Sequence, residues 1–180
     1  MIESNRRGQA AMSYNFLVRI RRFLHGFLVV KCVNWYYRTI WGMHIGPDCR
    51  ISLSAKLDKA NPDGIVIGKS TAITFGAAIL SHDFVNNVHS TTRIGDYCFI
   101  GAHAVIMPGI TVGDHSIVAT GAIVMRDVQP HTVVMGNPAR PIEQNIQTGR
   151  WGIRIRDAHT VPPEVAVPAP AAKADLKAVS

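Results

Sequence analysis

The chain has 180 residues, 47% of them apolar, which is enough for one buried core and too few for two domains of ordinary size. Its formal charge of +7 is uneven, since residues 1–40 hold seven basic side chains against one acid and residues 45–142 hold seven of each. A neutral body with a basic arm argues against a broad nucleic-acid surface, which needs Lys and Arg spread along a face or groove. Cys32, Cys49 and Cys98 form no CxxC pair, so neither a disulfide framework nor a thiolate metal site is indicated and a reducing cytoplasm fits.

The first segment, residues 1–43, reads as an amphipathic helical arm. Phe16, Leu17, Ile20, Phe23, Leu24, Phe27 and Leu28 follow an i, i+3, i+4 pattern. Arg19, Arg21, Arg22, His25 and Lys31 interrupt the apolar stretch and no small-residue cleavage site follows. Those charges argue against a secretory signal and against a spanning helix, which wants about 20 nearly uncharged residues. Two roles fit the arm. It caps the open end of the following domain, or its basic rim and the cluster Trp35, Tyr36, Tyr37 and Trp41 place it peripherally on anionic lipid at the inner face of the membrane.

Residues 44–142 carry a six-residue period. Ile94, Ile100, Ile106, Val112, Val118 and Val124 are β-branched at every sixth position. Four residues after them stand Cys98, Ala104, Ile110, Ser116, Ala122 and Val128, mostly small. The same phase occurs upstream at Ile45, Ile51 and Leu57, and resumes at Ile67, Ile73 and Ile79 after the loop Ala60-Asn61-Pro62-Asp63-Gly64. This period matches neither a helix at 3.6 nor strand alternation at 2, so it predicts a solenoid of short strands and turns. The wider gap between Ile79 and Ile94 predicts a loop extruded over residues 84–93. The last segment, 143–180, is expected to be a short helix or loop leading into a mobile Pro- and Ala-rich tail.

These repeats resemble the hexapeptide-repeat acyltransferases, and in particular their sugar and polysaccharide O-acetyltransferases. The resemblance covers about residues 44–142. It implies an all-β solenoid, a left-handed parallel β-helix with three hexapeptides per coil, carrying the helical arm at one end and the short helix or tail at the other. It also implies acetyl-CoA as co-substrate, no metal, and a homotrimer with sites between neighbouring prisms. A zinc lyase on the same fold would need a close histidine pair, which is missing: His103 and His115 are two hexapeptides apart and belong on different faces.

The family places its catalytic histidine where a coil gives way to a loop, which here is His82 in the string Ser81-His82-Asp83-Phe84. An imidazole with pKa near ~6.5 suits the removal of a hydroxyl proton at physiological pH. Asp83 or a backbone carbonyl would orient its ring, and Asp83, Asn86 and Asn87 are candidate acceptor contacts. Position by position, Phe99, Ala102, Thr120, Gly121, Met125, Arg126 and Arg140 match residues lining the cofactor groove in relatives. The two arginines suit phosphates, and the string Gly136-Asn137-Pro138-Ala139-Arg140-Pro141 closes the coil. The implied reaction is O-acetylation of a sugar hydroxyl on a polysaccharide, lipid-linked glycan or sugar precursor. Alternatives are an aminosugar nucleotide, serine, a xenobiotic, or a non-catalytic scaffold.

Overall fold

The computed structural model describes residues 31–155, with Gly26 before them. The expected arm therefore lies mostly outside the described residues. Its last part is helix α1 (Val33–Thr39), whose Val33, Asn34 and Tyr37 are buried against the first coil. Asn34 donates through Nδ2 to the Cys49 carbonyl at 2.8 Å, and Arg38 donates to the carbonyls of Ile45 and Gly46. The helix thus covers the strand edge with which the solenoid begins, as a cap must.

The body is a parallel β-helix of three faces. The first coil contains β1 (His44–Ile45), β2 (Arg50–Ile51) and β3 (Lys56–Leu57), and the second β4 (Ile65–Ile67), β5 (Ala72–Ile73) and β6 (Ala78–Ile79). A hairpin of β7 (His82–Asp83) and β8 (Val88–His89) then leaves the coil. The third coil contains β9 (Thr92–Ile94), β10 (Phe99–Ile100) and β11 (Val105–Ile106), and the fourth β12 (Thr111–Val112), β13 (Ile117–Val118) and β14 (Ile123–Val124). Strands β1, β4, β9 and β12 make the first face, β2, β5, β10 and β13 the second, and β3, β6, β11 and β14 the third. The register is that of the period: Ile51 pairs with Ile73, Ile73 with Ile100, and Ile100 with Val118. Ile51, Ile73, Ile79, Ile94, Ile100, Ile106, Val112, Val118 and Val124 all lie inside the prism with almost no exposure. Every sixth side chain must point inward because each hexapeptide turns the chain through one corner.

The small residues four places on fill the corners. Between first and second faces stand Cys49, Thr71, Cys98, Ser116 and Thr132, all buried. Cys49, Thr71 and Cys98 each reach a carbonyl of the next coil, on Gly68, Gly95 and Gly113, and Ser116 reaches Gln129. Burial pushes the Cys49 thiol up to about 11 and the Cys98 thiol to about 12, so both act as neutral donors. The corner between second and third faces uses Ala55, Ala77, Ala104 and Ala122.

Two expectations about borders need correction. The extruded loop begins at His82 and ends before Thr92, because Thr92 is fully buried in β9 and pairs with Ile65. Its hydroxyl donates to Leu80 O and accepts from the Gly109 amide at 2.9 Å, which draws the neck of the hairpin shut. The described part of the C-terminal segment, expected as a short helix or loop, is mostly paired strand. After β15 (Val133–Gly136) the chain doubles back as antiparallel β16 (Ala139–Glu143), then forms β17 (Gln147–Thr148) and β18 (Arg154–Ile155) around a 3-10 turn at Arg150–Gly152. Gly149 precedes that turn and Gly152 ends it, and Ile146 and Thr148 are held down on the first corner, where His131 donates to Ile146 O and His115 to Thr148 O, both at 2.9 Å. Residues 156–180, including the Pro- and Ala-rich stretch, lie outside the described residues.

Candidate active site

The third corner, between third and first faces, is where the repeat is broken. The first coil crosses it through a 3-10 turn at Pro62–Gly64, and the second through the hairpin. These two insertions are stacked, and the first holds the second. Asp58 accepts from the backbone amides of Ser81 at 3.1 Å and His82 at 2.9 Å through one oxygen, and from Ala60 at 2.9 Å through the other. Burial pushes the Asp58 carboxyl up, but these amides and the nearby His82 outweigh it and leave it below its ordinary value. Asn61 donates to the carbonyls of Ser81 and Ser90, on the two sides of the hairpin neck. The backbone of His82 is therefore fixed from below by the preceding coil.

His82 itself is half-buried and is the first residue of the hairpin, opposite His89. Its ring meets that of His89 edge-on with centroids 4.7 Å apart, and that of Phe84 at 6.1 Å. Asp83 does not orient the ring. Its Oδ1 accepts from the amides of Val85 and Asn86, and its Oδ2 accepts from Asn86 Nδ2 at 2.6 Å. Hydrogen bonds from the Asn86 side chain and amide, and then from the Val85 amide, hold this carboxyl below its ordinary value. Asp83 and Asn86 thus shape the turn, while Asn87 is exposed at a left-handed position with φ 51°. The neighbouring rings of His89 and Phe84, on the hairpin itself, are what hold the imidazole. His89 has no place in the hexapeptide pattern, and only a strand pairing of 82 with 89 could have singled it out.

The other sequence-predicted residues fall into three places. Met125 and Arg126 lie on the third corner, two coils beyond His82. Ala102, Thr120 and Gly121 lie on the second corner, stacked, with the Gly121 amide donating to Ala102 O at 2.8 Å. There Gly101 backs onto Thr120, whose nitrogen stands 2.5 Å from where a Cβ would be, and the space beside Gly121 is open. Phe99 faces outward from β10 into a cavity of about 640 Å³ on the second face. Arg126 and Arg140 line one hollow of about 300 Å³ at the far end of the prism. Neither arginine has a carboxylate partner among the described residues. The chain therefore does not gather its predicted residues at one point; it presents them on the second and third corners, the second face and the far end of the prism.

His103 and His115 sit on the second and first corners, apart from each other and from His82. His115 stacks between Tyr97 and His131 at centroid distances of 5.0 Å. Among the described residues no three His, Cys, Asp or Glu side chains gather as a metal site would require.

A family model for the bacterial transferase hexapeptide (six repeats) matches residues 91–126. Over 131 residues the chain is 35% identical to the protein named "Putative acetyltransferase YvoF" of Bacillus subtilis, covering 71% of this chain and 74% of that one. The chain belongs to the hexapeptide-repeat acetyltransferases. It is also 32% identical over 100 residues to the galactoside O-acetyltransferase of Escherichia coli, covering 54% of this acetyltransferase and 45% of that one. Among solved structures, the hexapeptide-repeat acetyltransferase VCA0836 of Vibrio cholerae, complexed with acetyl coenzyme A, superposes with a TM-score of 0.50 at 27% identity. That match covers 57% of this chain and 60% of the other. Apart from YvoF, then, the acetyltransferase spans roughly half of each of these proteins. No described helix is long and apolar enough to cross a membrane.

Proposed function

We propose that the enzyme transfers the acetyl group of acetyl-CoA to a sugar hydroxyl, with His82 as general base and the site completed between neighbouring copies of a homotrimer. One observation carries this reading: His82 stands at the root of an inserted hairpin, its backbone fixed by Asp58 and its ring packed on His89 and Phe84. A histidine placed with such redundancy at the one corner where the repeat is broken suits a base better than a surface group.

The co-substrate supplies an activated acetyl thioester, and the residues present suit it. Thr120 and Gly121 leave an open corner along which a narrow amide-bearing chain can run, and Arg126 and Arg140 offer forks for phosphates. These belong to different corners, so the groove forms where the third corner of one copy meets the second corner of the next. There a neutral ring nitrogen of His82 takes the proton from the acceptor hydroxyl as its oxygen attacks the thioester carbon. The carbon–sulfur bond breaks, the acetyl group stays on the acceptor oxygen, and the imidazolium returns the proton to the departing sulfur. Without the base the attacking oxygen would carry a positive charge at the top of the barrier.

The deciding experiment is an acceptor screen with purified protein and acetyl-CoA, reading thiol release. Turnover on sugars, absent in His82→Ala, is expected. Turnover on serine with none on glycans would overturn the acceptor class, and a monomeric mass by light scattering would overturn the shared site.

A further inference from the structure

The cavity on the second face is not accounted for by the acetyl donor alone. Residues 151–154 of the C-terminal strap close one side of it, while Ala72, Thr74 and Ile117 line it on the second face. Leu53 and Phe75 stand on the opposite wall, 64% and 57% exposed. Its volume, about 640 Å³, and its mixture of aromatic walls with few polar groups are those of a small-molecule site.

The lip is firmly built. Trp151 adopts φ 62°, a left-handed conformation that bulky residues avoid. It is held there by its amide on Ser70 O at 2.6 Å, by its indole nitrogen on Asp48 O at 2.8 Å, and by the neighbouring Arg150, whose guanidinium pairs with both oxygens of Asp48. Gly152 then lies so close to Phe99 that a Cβ would fall 2.5 Å from the Phe99 Cβ. What this arrangement sets in place is Arg50, whose guanidinium stands 5.3 Å from the Trp151 ring centroid. Of the cations around the cavity, Arg150 is neutralised by Asp48 and Arg154 by Glu143. Arg50 pairs with no carboxylate among the described residues. The hydroxyls of Ser52 and Ser54, 3.2 Å apart, lie beside it.

We propose that this cavity binds the acceptor and that the acceptor is an acidic sugar: a hydroxylated ring with one carboxylate, the acid on Arg50 and the less polar ring face on Phe75 and Leu53. A single free guanidinium fork matches a single carboxylate, and hydroxyls beside apolar walls match a sugar ring. The proposal rests on the sugar-acetylating reading above. The cavity draws its walls from all four coils and the strap, and the hairpin bearing His82 leaves between the second and third. The two features share a level along the prism but lie on different sides of it, so the base comes from the adjoining copy.

The test is to titrate the full chain with methyl β-D-glucuronide and with methyl β-D-glucoside, which differ only at the carboxylate, followed by ligand-detected NMR. The wild type should bind the glucuronide at least about tenfold more tightly, the reach of one charge-assisted pair. Arg50→Gln should erase the preference, and Arg50→Lys should keep part of it. Equal binding of both sugars by the wild type, or a preference that survives Arg50→Gln, overturns the proposal. If neutral sugars are acetylated in a His82-dependent way without such a preference, the acidic class falls and the sugar-acetylating reading stands. If the glucuronide binds through Arg50 and no sugar accepts acetyl, that reading falls and the cavity stands as an acidic-ring site.

Discussion

The first and third corners of the prism are built from the same repeat and have opposite characters. At the first, every coil turns with the same few residues, and a column of Cys49, Thr71, Cys98, Ser116 and Thr132 ties the coils together. At the third no such column exists. One coil crosses by a short 3-10 turn and the next by a hairpin that carries two histidines and, at its tip, the exposed Phe84 and Val85. A stack held by repeating contacts gains stability from regularity, so departures from it are tolerated where one coil can brace the insertion of another. Asp58 and Asn61 provide that bracing.

The sharpest way to test this contrast is to remove the proposed base. His82→Ala should fold and bind acetyl-CoA nearly as the wild type does, yet lose about 10²- to 10⁴-fold in kcat, the usual reach of general-base catalysis. His103→Ala and His115→Ala should retain most turnover. Near wild-type kcat in a folded His82→Ala protein would end the proposed mechanism.

A regular position should respond in the opposite sense. Ile100→Ala, inside the stack, should cost about 2–5 kcal/mol in chemical denaturation, as buried large-to-small changes do, with a kcat little altered in the fraction that folds. A stability unchanged by this substitution would show that the column does not carry the fold.

Arg126→Ala and Arg140→Ala are intermediate. Each should raise KM for acetyl-CoA by about tenfold and leave kcat close to wild type, because phosphate contacts act alike before and during the chemical step. An unchanged KM in both would remove them from the proposed donor groove.

The smallest effect concerns the strap. The Asp48 carboxyl of the first coil, to which the strap is tied, is held below the ordinary value chiefly by the hydrogen bond from Arg150. A group whose folded pKa is depressed contributes stability above its unfolded value, near ~3.9, and loses it as pH falls through the folded value. Trp151 fluorescence should therefore change on acidification below about pH 4, ahead of the loss of β-structure by circular dichroism, and Asp48→Asn should show the acid signal already at neutral pH. Coincident transitions in the wild type would mean the strap is no looser than the coil.

Much of this was legible in the order of residues. The inward positions of Ile94, Ile100, Ile106, Val112, Val118 and Val124 follow from their spacing, since one face per hexapeptide is the only arrangement that buries them all. His82 could be picked out because it stands where that spacing fails. Its partner His89 could not, nor could Asp58, because both act through pairings between segments that no local period records. The short helix or loop expected after residue 143 is instead paired strand for the same reason: Ile146 and Thr148 are held by His131 and His115 on the first corner. Repetition alone determined the prism, its core and the place where it is interrupted, because each hexapeptide meets the same neighbours above and below. Only the tertiary structure decided what holds the histidine, where the strap lies, and that Arg50 has no carboxylate partner among the described residues, because those depend on which non-repeating segments come to lie side by side.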